Sequence, residues 1–404
     1  MRIAVITGEY PPMEGGVGAF TAHLSHSFQT GGHAVHIVTT EFPGEPPVHN
    51  DESGLTVHRA IRSWGPSGLG QLRALLRKVQ PDVVNIQYEP AAYAMRGSIH
   101  LAPCLLRQAL RVPFVVTFHD LLPPYLFPGA GPLRQRSVWH LARSAQGVIA
   151  TNHEDLESLN GVMRGSPTRT RLIPIGSNIS ASPPPNFDRD TWRTARGYRP
   201  ADIVVGFFGF LNRTKGIETL LDAIAELEAQ GLPVHLLFIG GRTGTSDVTN
   251  AGYAAEVDAL IKDLELESRV QWTGFASPEE VSAALIAIDV CALPYRDGAN
   301  LRHGTLHAAL AHGCPIVTTV PPAPIPELKD GANVLFIPSG DAHALAQAIQ
   351  TLTHDATLRA ELGRGASALA ARFTWPQIAS ETAAFFAALT TGAASTDRRR
   401  TGPQ

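Results

Sequence analysis

Residues 290–319 read VCALPYRDGANLRHGTLHAALAHGCPIVTT, and the order of runs and breaks in this stretch decides the fold. The apolar run 288–293 has the length and composition of a buried strand, and Pro294 ends it. A loop follows over 295–304, with Asp297, Gly298 and Asn300 as turn formers. Leu306, Ala309 and Leu310 then share one helical face, and Gly313 is placed to stop the helix. A second apolar run, 315–320, reads as a parallel strand. In open α/β sheets, ligands sit at the carboxyl ends of strands, against helix starts. Gly304 and Thr305 open this helix, so their backbone N–H groups are placed to receive a phosphate. An ordinary βαβ unit without a ligand shows the same pattern.

The alternation extends in both directions. Towards the C-terminal side of the chain's middle, strands are expected over 203–208, 234–239 and 270–272. Helices are expected over 188–196, 217–229, 253–264, 278–287, 342–353 and 375–388. Towards the start, strands are expected at 2–8, 33–40, 83–87, 112–118 and 147–151. The helices between them fall at 19–30, 69–79, 103–110 and 132–142. Strands alternating with helices predict doubly wound parallel sheets. Three prolines in a row, Pro183 to Pro185, interrupt the pattern, which then restarts. Two α/β domains are therefore expected, over 1–180 and 188–374, with a disordered tail over 390–404.

The 404 residues suffice for two such domains, and 44% hydrophobic against 17% charged residues allows large cores. The three cysteines, Cys104, Cys291 and Cys314, lie in apolar runs without CxxC spacing, as expected of free, buried thiols in a reducing cytoplasm. The chain enters a strand at Arg2 and no apolar run approaches ~20 residues, so neither a signal peptide nor a transmembrane helix is expected. A net charge of −3 excludes bulk attraction to nucleic acid. The charge is uneven, however. Residues 59–143 hold eleven Lys/Arg against three Asp/Glu, giving +8. Solvated helix faces would account for this; so would an anionic partner, either a membrane surface or a phosphorylated substrate.

Three stretches could carry chemistry. Gly16-Val17-Gly18-Ala19-Phe20-Thr21 follows the first strand and nearly matches a dinucleotide fingerprint, with Glu41 at the end of the second strand. The turn is about ten residues long and contains Pro11-Pro12, where the fingerprint needs a tight turn. Residues 209–216, GFLNRTKG, put Arg213 and Lys215 between a strand and a helix, an anion site in principle. His119 ends the strand at Thr117-Phe118 and would point from its carboxyl end, either into a site or as a satisfied core histidine. Asp188-Arg189-Asp190 opens a helix and reads as capping rather than metal binding. HExxH, GxSxG and GxxxxGK[ST] are all absent.

Taken together, the stretches resemble the family 4 glycosyltransferases, over about residues 1–390. The resemblance is carried by Gly15-Gly16-Val17-Gly18, by 117–120, by 172–178 (LIPIGSN), by 211–216 and by 308–315 (AALAHGCP). Pro326-Glu327 and 338–341 (PSGD) complete it. It implies the GT-B fold, two facing Rossmann-like doubly wound domains with an interdomain cleft. The first would bind the acceptor and receive a returning C-terminal helix, 375–389; the second would bind a nucleotide-sugar donor. It also implies sugar transfer with retention, without a metal or other cofactor.

Position by position, the resemblance puts Lys215 on the lysine that contacts donor phosphate. Gly304 and Thr305 fall on the backbone that holds the diphosphate, His119 on the histidine near the reacting sugar, and Gly16 in the loop against donor and acceptor. Gly241, Gly274 and Phe275 fall on the donor side as well. Phe210 stands where the family has an arginine, and Arg213 is the candidate to replace its charge. The family's glutamate pair falls on Asn300 and Ala308; Asn300 can still hydrogen-bond, whereas Ala308 cannot. Arg302 and His303 add charge that the usual pattern lacks. The expected catalytic set is His119, Lys215 and Asn300; the sequence does not identify the acceptor, for which a lipid-linked and a phosphorylated molecule are the candidates. The expected location is cytoplasmic, with peripheral contact at the inner membrane face through residues 59–143. Two alternatives stay open: a non-catalytic sugar-nucleotide-binding protein and an oxidoreductase holding NAD or flavin.

Overall fold

The structure, a computed structural model, describes residues 1–13, 15–50, 54–126, 129–242 and 251–398. It divides into two compact units, Met1–Gly176 with the chain from Thr374 onward, and Ser177–Phe373.

In the first unit the strands are β1 (Arg2–Ile6), β2 (Ala34–Thr40), β3 (Val48–Asn50), β4 (Thr56–Ile61), β5 (Val83–Tyr88), β6 (Phe114–Phe118), β7 (Gly147–Ala150) and β8 (Arg169–Leu172). The helices are α1 (Gly16–Thr30), α2 (Pro66–Val79), α3 (Ala102–Leu110), α4 (Leu133–Ser144) and α5 (His153–Val162). The sheet order is β3-β4-β2-β1-β5-β6-β7-β8, parallel except for the β3–β4 pair. Side chains alternate across the sheet with period two. Ala4, Ile6, Val84, Ile86 and Val116 face Leu72, Leu76, Leu106 and Leu141 from α2, α3 and α4. Ile3, Val5, Val83, Val115 and Ile149 face Phe20, Leu24 and Phe28 from α1. The C-terminal helix, Trp375–Arg398, returns to this second face, where Phe386 lies 5.9 Å from Phe28.

Three differences from the sequence reading have physical causes. Composition predicts a disordered tail from Thr390, yet the helix runs on to Arg398, since extending a helix already packed through Phe386 and Leu389 needs no new nucleus. The glycine run reads as loop, yet Gly16 is already the first residue of α1. Strand β4 is hidden in the sequence by His58 and Arg59, both buried. The Arg59 guanidinium donates to the Pro11 carbonyl at 2.6 Å and pairs with Glu45 at 3.4 Å.

The second unit holds β9 (Ile203–Phe208), β10 (Val234–Ile239), β11 (Val270–Trp272), β12 (Val290–Leu293), β13 (Ile316–Thr319) and β14 (Leu335–Ile337). All pair in parallel, in the order β11-β10-β9-β12-β13-β14. Around them lie α6 (Arg189–Ala195), α7 (Ile217–Ala229), α8 (Ala251–Asp263), α9 (Pro278–Ala287), α10 (Gly304–Ala311), α11 (Ala342–His354) and α12 (Ala356–Ala370). Asp188 caps α6 by accepting from the Thr191 N–H at 2.8 Å, the role its position suggests. One turn on, buried Arg193 donates to the Ala287 and Asp202 carbonyls and to Asp289, which also accepts from Arg189. This ties α6 to the start of β12. Removing Arg193 leaves two carbonyls and a carboxylate short of a donor. Arg193→Ala is therefore expected to cost about 3 kcal/mol of unfolding free energy, the scale for breaking a largely buried ion pair, as read by urea denaturation.

Candidate active site

The loops at the carboxyl ends of β9 and β12 carry Arg213, Lys215, Asp297, Arg302 and His303. Gly209, which leaves β9, has φ of 125°, and a Cβ there would lie 2.9 Å from Thr305 Cγ2. The chain thus passes directly against the start of α10. Asn212 Oδ1 then accepts from the Thr214 N–H at 3.0 Å and closes a 3₁₀ turn, Arg213–Lys215. Gly216 ends the turn at φ of 69°, and its missing Cβ makes room for the Pro294 carbonyl, which would stand 1.9 Å away. Only glycine permits both the left-handed conformation and that approach.

This geometry seats Lys215 Nζ 4.7 Å from the centroid of buried Tyr295. Burial lowers the Lys215 pKa; Asp297 opposes that shift and Arg302 adds to it. The Tyr295 hydroxyl and Thr305 Oγ1 are hydrogen-bonded at 2.6 Å. The His303 ring tilts on Tyr295 at 4.1 Å, and its Nε2 lies 3.8 Å from Asp297. Asn300, buried, accepts from the Arg302 N–H at 3.0 Å and folds the loop ahead of α10. No side chain caps α10, and the N–H groups of Gly304 and Thr305 have no acceptor among the described residues. Nothing lies within 4 Å of where a Gly304 Cβ would be. Lys215, Asn300, Arg302, Gly304 and Thr305 are therefore brought together around an open helix start. Such an arrangement favours an anion with several oxygens.

The other sequence candidates in this unit fall elsewhere or alongside. Gly240 and Gly274 bridge the ends of β10 and β11, with Gly241 next in the chain. Arg213 turns to α8, where it forks onto both Glu256 oxygens at 2.6 Å and lies 4.8 Å from the Tyr253 ring, so its charge is already matched. Phe275 is 81% exposed and lines a cavity of about 440 Å³ with Trp192, Asp188 and Glu280, on the α6 side. Ala308 is buried within the core and offers no polar group.

In the first unit His119 follows β6. Its partners form a chain that fixes its proton. Asn85 donates to the Val115 carbonyl at 3.3 Å and to Thr117 Oγ1 at 3.0 Å, so its Oδ1 is the accepting end. Gln87 donates into that Oδ1, which leaves Gln87 Oε1 to accept. The His119 Nε2–H therefore donates to Gln87 at 2.9 Å, and Nδ1 keeps its lone pair. Phe20 meets the ring edge-on at 4.7 Å. Burial lowers the His119 pKa to about 4.

The start of α1 is unlike that of α10. Glu9 Oε1 accepts from the Val17 and Gly18 N–H groups, both at 3.0 Å. A Cβ at Gly15 would fall 2.1 Å from that oxygen. Gly16 is open, with nothing within 4 Å of its missing Cβ. Glu89, after β5, is pushed up to about 7 by burial, then by Asp120 and Glu9. Sequence reading missed Glu9, Gln87, Asn85 and Tyr295. A signal existed for two of them: Asn85 and Gln87 are polar, at period two, in an otherwise apolar strand.

The second unit thus presents a cationic, uncapped helix start at the carboxyl ends of its parallel strands, an arrangement suited to an anionic ligand. Comparison with known proteins specifies the class. Residues 202–355 match the family described as "Glycosyl transferases group 1", and residues 14–180 match "Glycosyltransferase Family 4". A D-inositol 3-phosphate glycosyltransferase of Corynebacterium jeikeium is 26% identical, covering 93% of this chain and 94% of its own. One from Rhodococcus erythropolis is 27% identical over 72% of this chain and 67% of its own. Among solved structures, sucrose-phosphate synthase from Thermosynechococcus elongatus superposes with a TM-score of 0.73 at 22% identity, over 97% and 99% of the two chains. HepE of Anabaena in complex with UDP gives 0.74 at 19%, over 96% and 100%. The fold is GT-B. The chain belongs to the group 1 and family 4 glycosyltransferases, and it is an enzyme that transfers a sugar from a nucleotide-sugar donor.

With Nε2 committed to Gln87, His119 is expected to stay neutral from pH 8 down to about 5. A ¹⁵N-histidine NMR titration should show a protonated Nε2, a bare Nδ1 and no midpoint near 6.5. A midpoint near 6.5 would mean that the buried chain of amides does not form.

Proposed function

We propose that the chain is a retaining, metal-independent hexosyltransferase that uses a uridine diphosphate sugar. The carrying observation is the meeting of Lys215 with the open start of α10. The UDP-bound HepE relative supports the choice of base, because that protein has the same fold and was solved with UDP and with UDP-glucose.

In this reading the Gly304 and Thr305 N–H groups and Lys215 hold the diphosphate, and Arg302 adds a second cation. When the bond from the anomeric carbon to the diphosphate breaks, negative charge grows on the departing oxygens. Donors already fixed by Gly209, Gly216 and Tyr295 meet that charge without rearranging. Asn300 holds the loop through the Arg302 N–H and offers its amide to a sugar hydroxyl. His119 presents its Nδ1 lone pair to another hydroxyl of the transferred sugar, and neutrality down to about pH 5 keeps that lone pair available. Gly16 lets ligand approach the backbone. Gly241 and Gly274 do the same on the donor side, while Arg213 and Phe275 act at its margin.

The acceptor belongs to the first unit, and the relatives' printed name favours a phosphorylated polyol. Its hydroxyls fit the carboxyl groups of Glu9, Glu89 and Asp120, where burial and neighbouring acids already hold Glu89 up at about 7, so its phosphate is disfavoured there. Arginines of residues 59–143 are the natural partners for that phosphate, or for a lipid-linked carrier.

Charge-assisted hydrogen bonds contribute ~1.5–3 kcal/mol. Lys215→Ala should therefore lower turnover or affinity for UDP-glucose by about 10–100-fold with the melting temperature nearly unchanged. Unaltered kinetics in that variant would remove Lys215 from the donor site.

A further inference from the structure

We infer that His303, the residue ahead of α10, is a proton-coupled part of the donor site: neutral in the free protein, it takes up a proton from water when the donor diphosphate binds. The inference rests on the donor reading above and adds to it a group that Lys215 and the helix start do not require.

The surroundings of the ring hold it neutral. His303 is the N-cap residue of α10, and its side chain is 10% exposed. Its Nδ1 stands as many bonds from the backbone as the oxygen of a capping asparagine, yet it caps nothing. Nε2 lies 3.8 Å from Asp297, so the hydrogen of the neutral ring belongs there, facing the carboxylate. Nδ1 is buried and has no hydrogen-bond partner among the described residues. A second hydrogen, on Nδ1, would be a buried donor without an acceptor. The neighbouring charges oppose it too. Lys215 lies over the Tyr295 ring, against which His303 is tilted, and Arg302 is adjacent in the chain. Burial lowers the His303 pKa, Asp297 opposes that shift, and Lys215 and Arg302 add to it. His307, one turn along α10, donates from Nε2 to the Leu301 carbonyl at 2.7 Å; burial lowers its pKa to about 4, so it adds no charge.

A diphosphate diester reverses these terms. The formal charges of Lys215, Arg302 and Asp297 sum to one positive charge, and the ligand brings two negative charges to the start of α10. The ring then faces net negative charge, and the ligand oxygens are acceptors of the kind a hydrogen on Nδ1 needs. An opposite charge within ~4–6 Å moves a titration midpoint by ~1–3 pH units. The His303 midpoint therefore rises on binding. By linkage, the donor binds more tightly as pH falls through the window between the free and bound midpoints.

The test uses the full chain and UDP-glucose, whose diphosphate stays doubly ionised from pH 8 down to about 5; the terminal phosphate of UDP titrates at about 6 and would obscure the result. Isothermal calorimetry in buffers of different ionisation enthalpy counts the protons taken up per donor bound. Uptake should reach at least about half a proton, the maximum for a midpoint moved by one pH unit, and affinity should fall about three- to tenfold per pH unit of rise there. Thermophoresis follows the affinity with a dye on Cys104, which is exposed on α3 although its apolar run suggests burial; Cys291 and Cys314 are buried. His303→Gln should bind UDP-glucose at pH 8 within about twofold of the native chain, take up no proton and lose the pH dependence. Glutamine is the replacement because asparagine would cap α10 and compete with phosphate. If circular dichroism shows that this variant melts early, Asp297→Asn carries the comparison: without the carboxylate, the pH of greatest uptake should move down. Binding without uptake, uptake that survives in His303→Gln, or a maximum that Asp297→Asn leaves in place overturns the inference and leaves the transferase reading untouched. Failure of UDP-glucose to bind at any pH removes the donor reading as well.

Discussion

An α-helix must find acceptors for its first backbone N–H groups, and this chain satisfies that requirement in two opposite ways. At α1 the acceptor is internal: Glu9 reaches back to Val17 and Gly18, and Gly15 has no side chain to obstruct it. At α10 no side chain serves. The unpaired N–H groups of Gly304 and Thr305 stand beside Lys215 and Arg302, where any anion gains from helix dipole and cations alike. A conformation that leaves donors and positive charge together costs free energy in the absence of ligand. It is held by Gly209, Gly216 and Tyr295, none of which needs to touch the sugar. The site depends on backbone approaches that a methyl group would block.

The first unit solves a different problem, that of keeping a histidine neutral and oriented within a mostly apolar sheet. Asn85, Gln87, Thr117 and His119 lie at alternate positions of two neighbouring strands, so all four reach the same face. A backbone carbonyl, that of Val115, decides the orientation of the first amide, and the rest follows in sequence to the imidazole. Burial then disfavours the charged form. The same burial raises Glu89, because a carboxylate and an imidazolium are both harder to hold there than their neutral forms.

Much of the fold was legible in the sequence. Residues 203–208, 217–229, 234–239, 270–272 and 278–287 carry the expected elements to the residue, because their apolar periodicity is uninterrupted and their caps are local. Ser277 and Glu280, for example, form a reciprocal capping box. β4 was not legible, since Arg59 and His58 sit where alternation calls for apolar groups and find their partners elsewhere in the chain. The candidate site divides in the same manner. Lys215, Gly304 and Thr305 follow from local pattern and resemblance. Tyr295, the floor beneath Lys215, looks in sequence like an ordinary loop residue. The tautomer of His119 depends on Gln87, 32 residues earlier, and Arg213 is diverted by Glu256, 43 residues later. Partners that distant leave no periodic trace.

The central claim is that the open start of α10 beside Lys215 receives the diphosphate of the donor. An experimental structure of the chain soaked with UDP tests it most directly. The account predicts β-phosphate oxygens within about 3 Å of the Gly304 and Thr305 nitrogens and of Lys215 Nζ. Phosphate bound at the start of α1, with Glu9 displaced, or clear of Lys215 altogether, would contradict it.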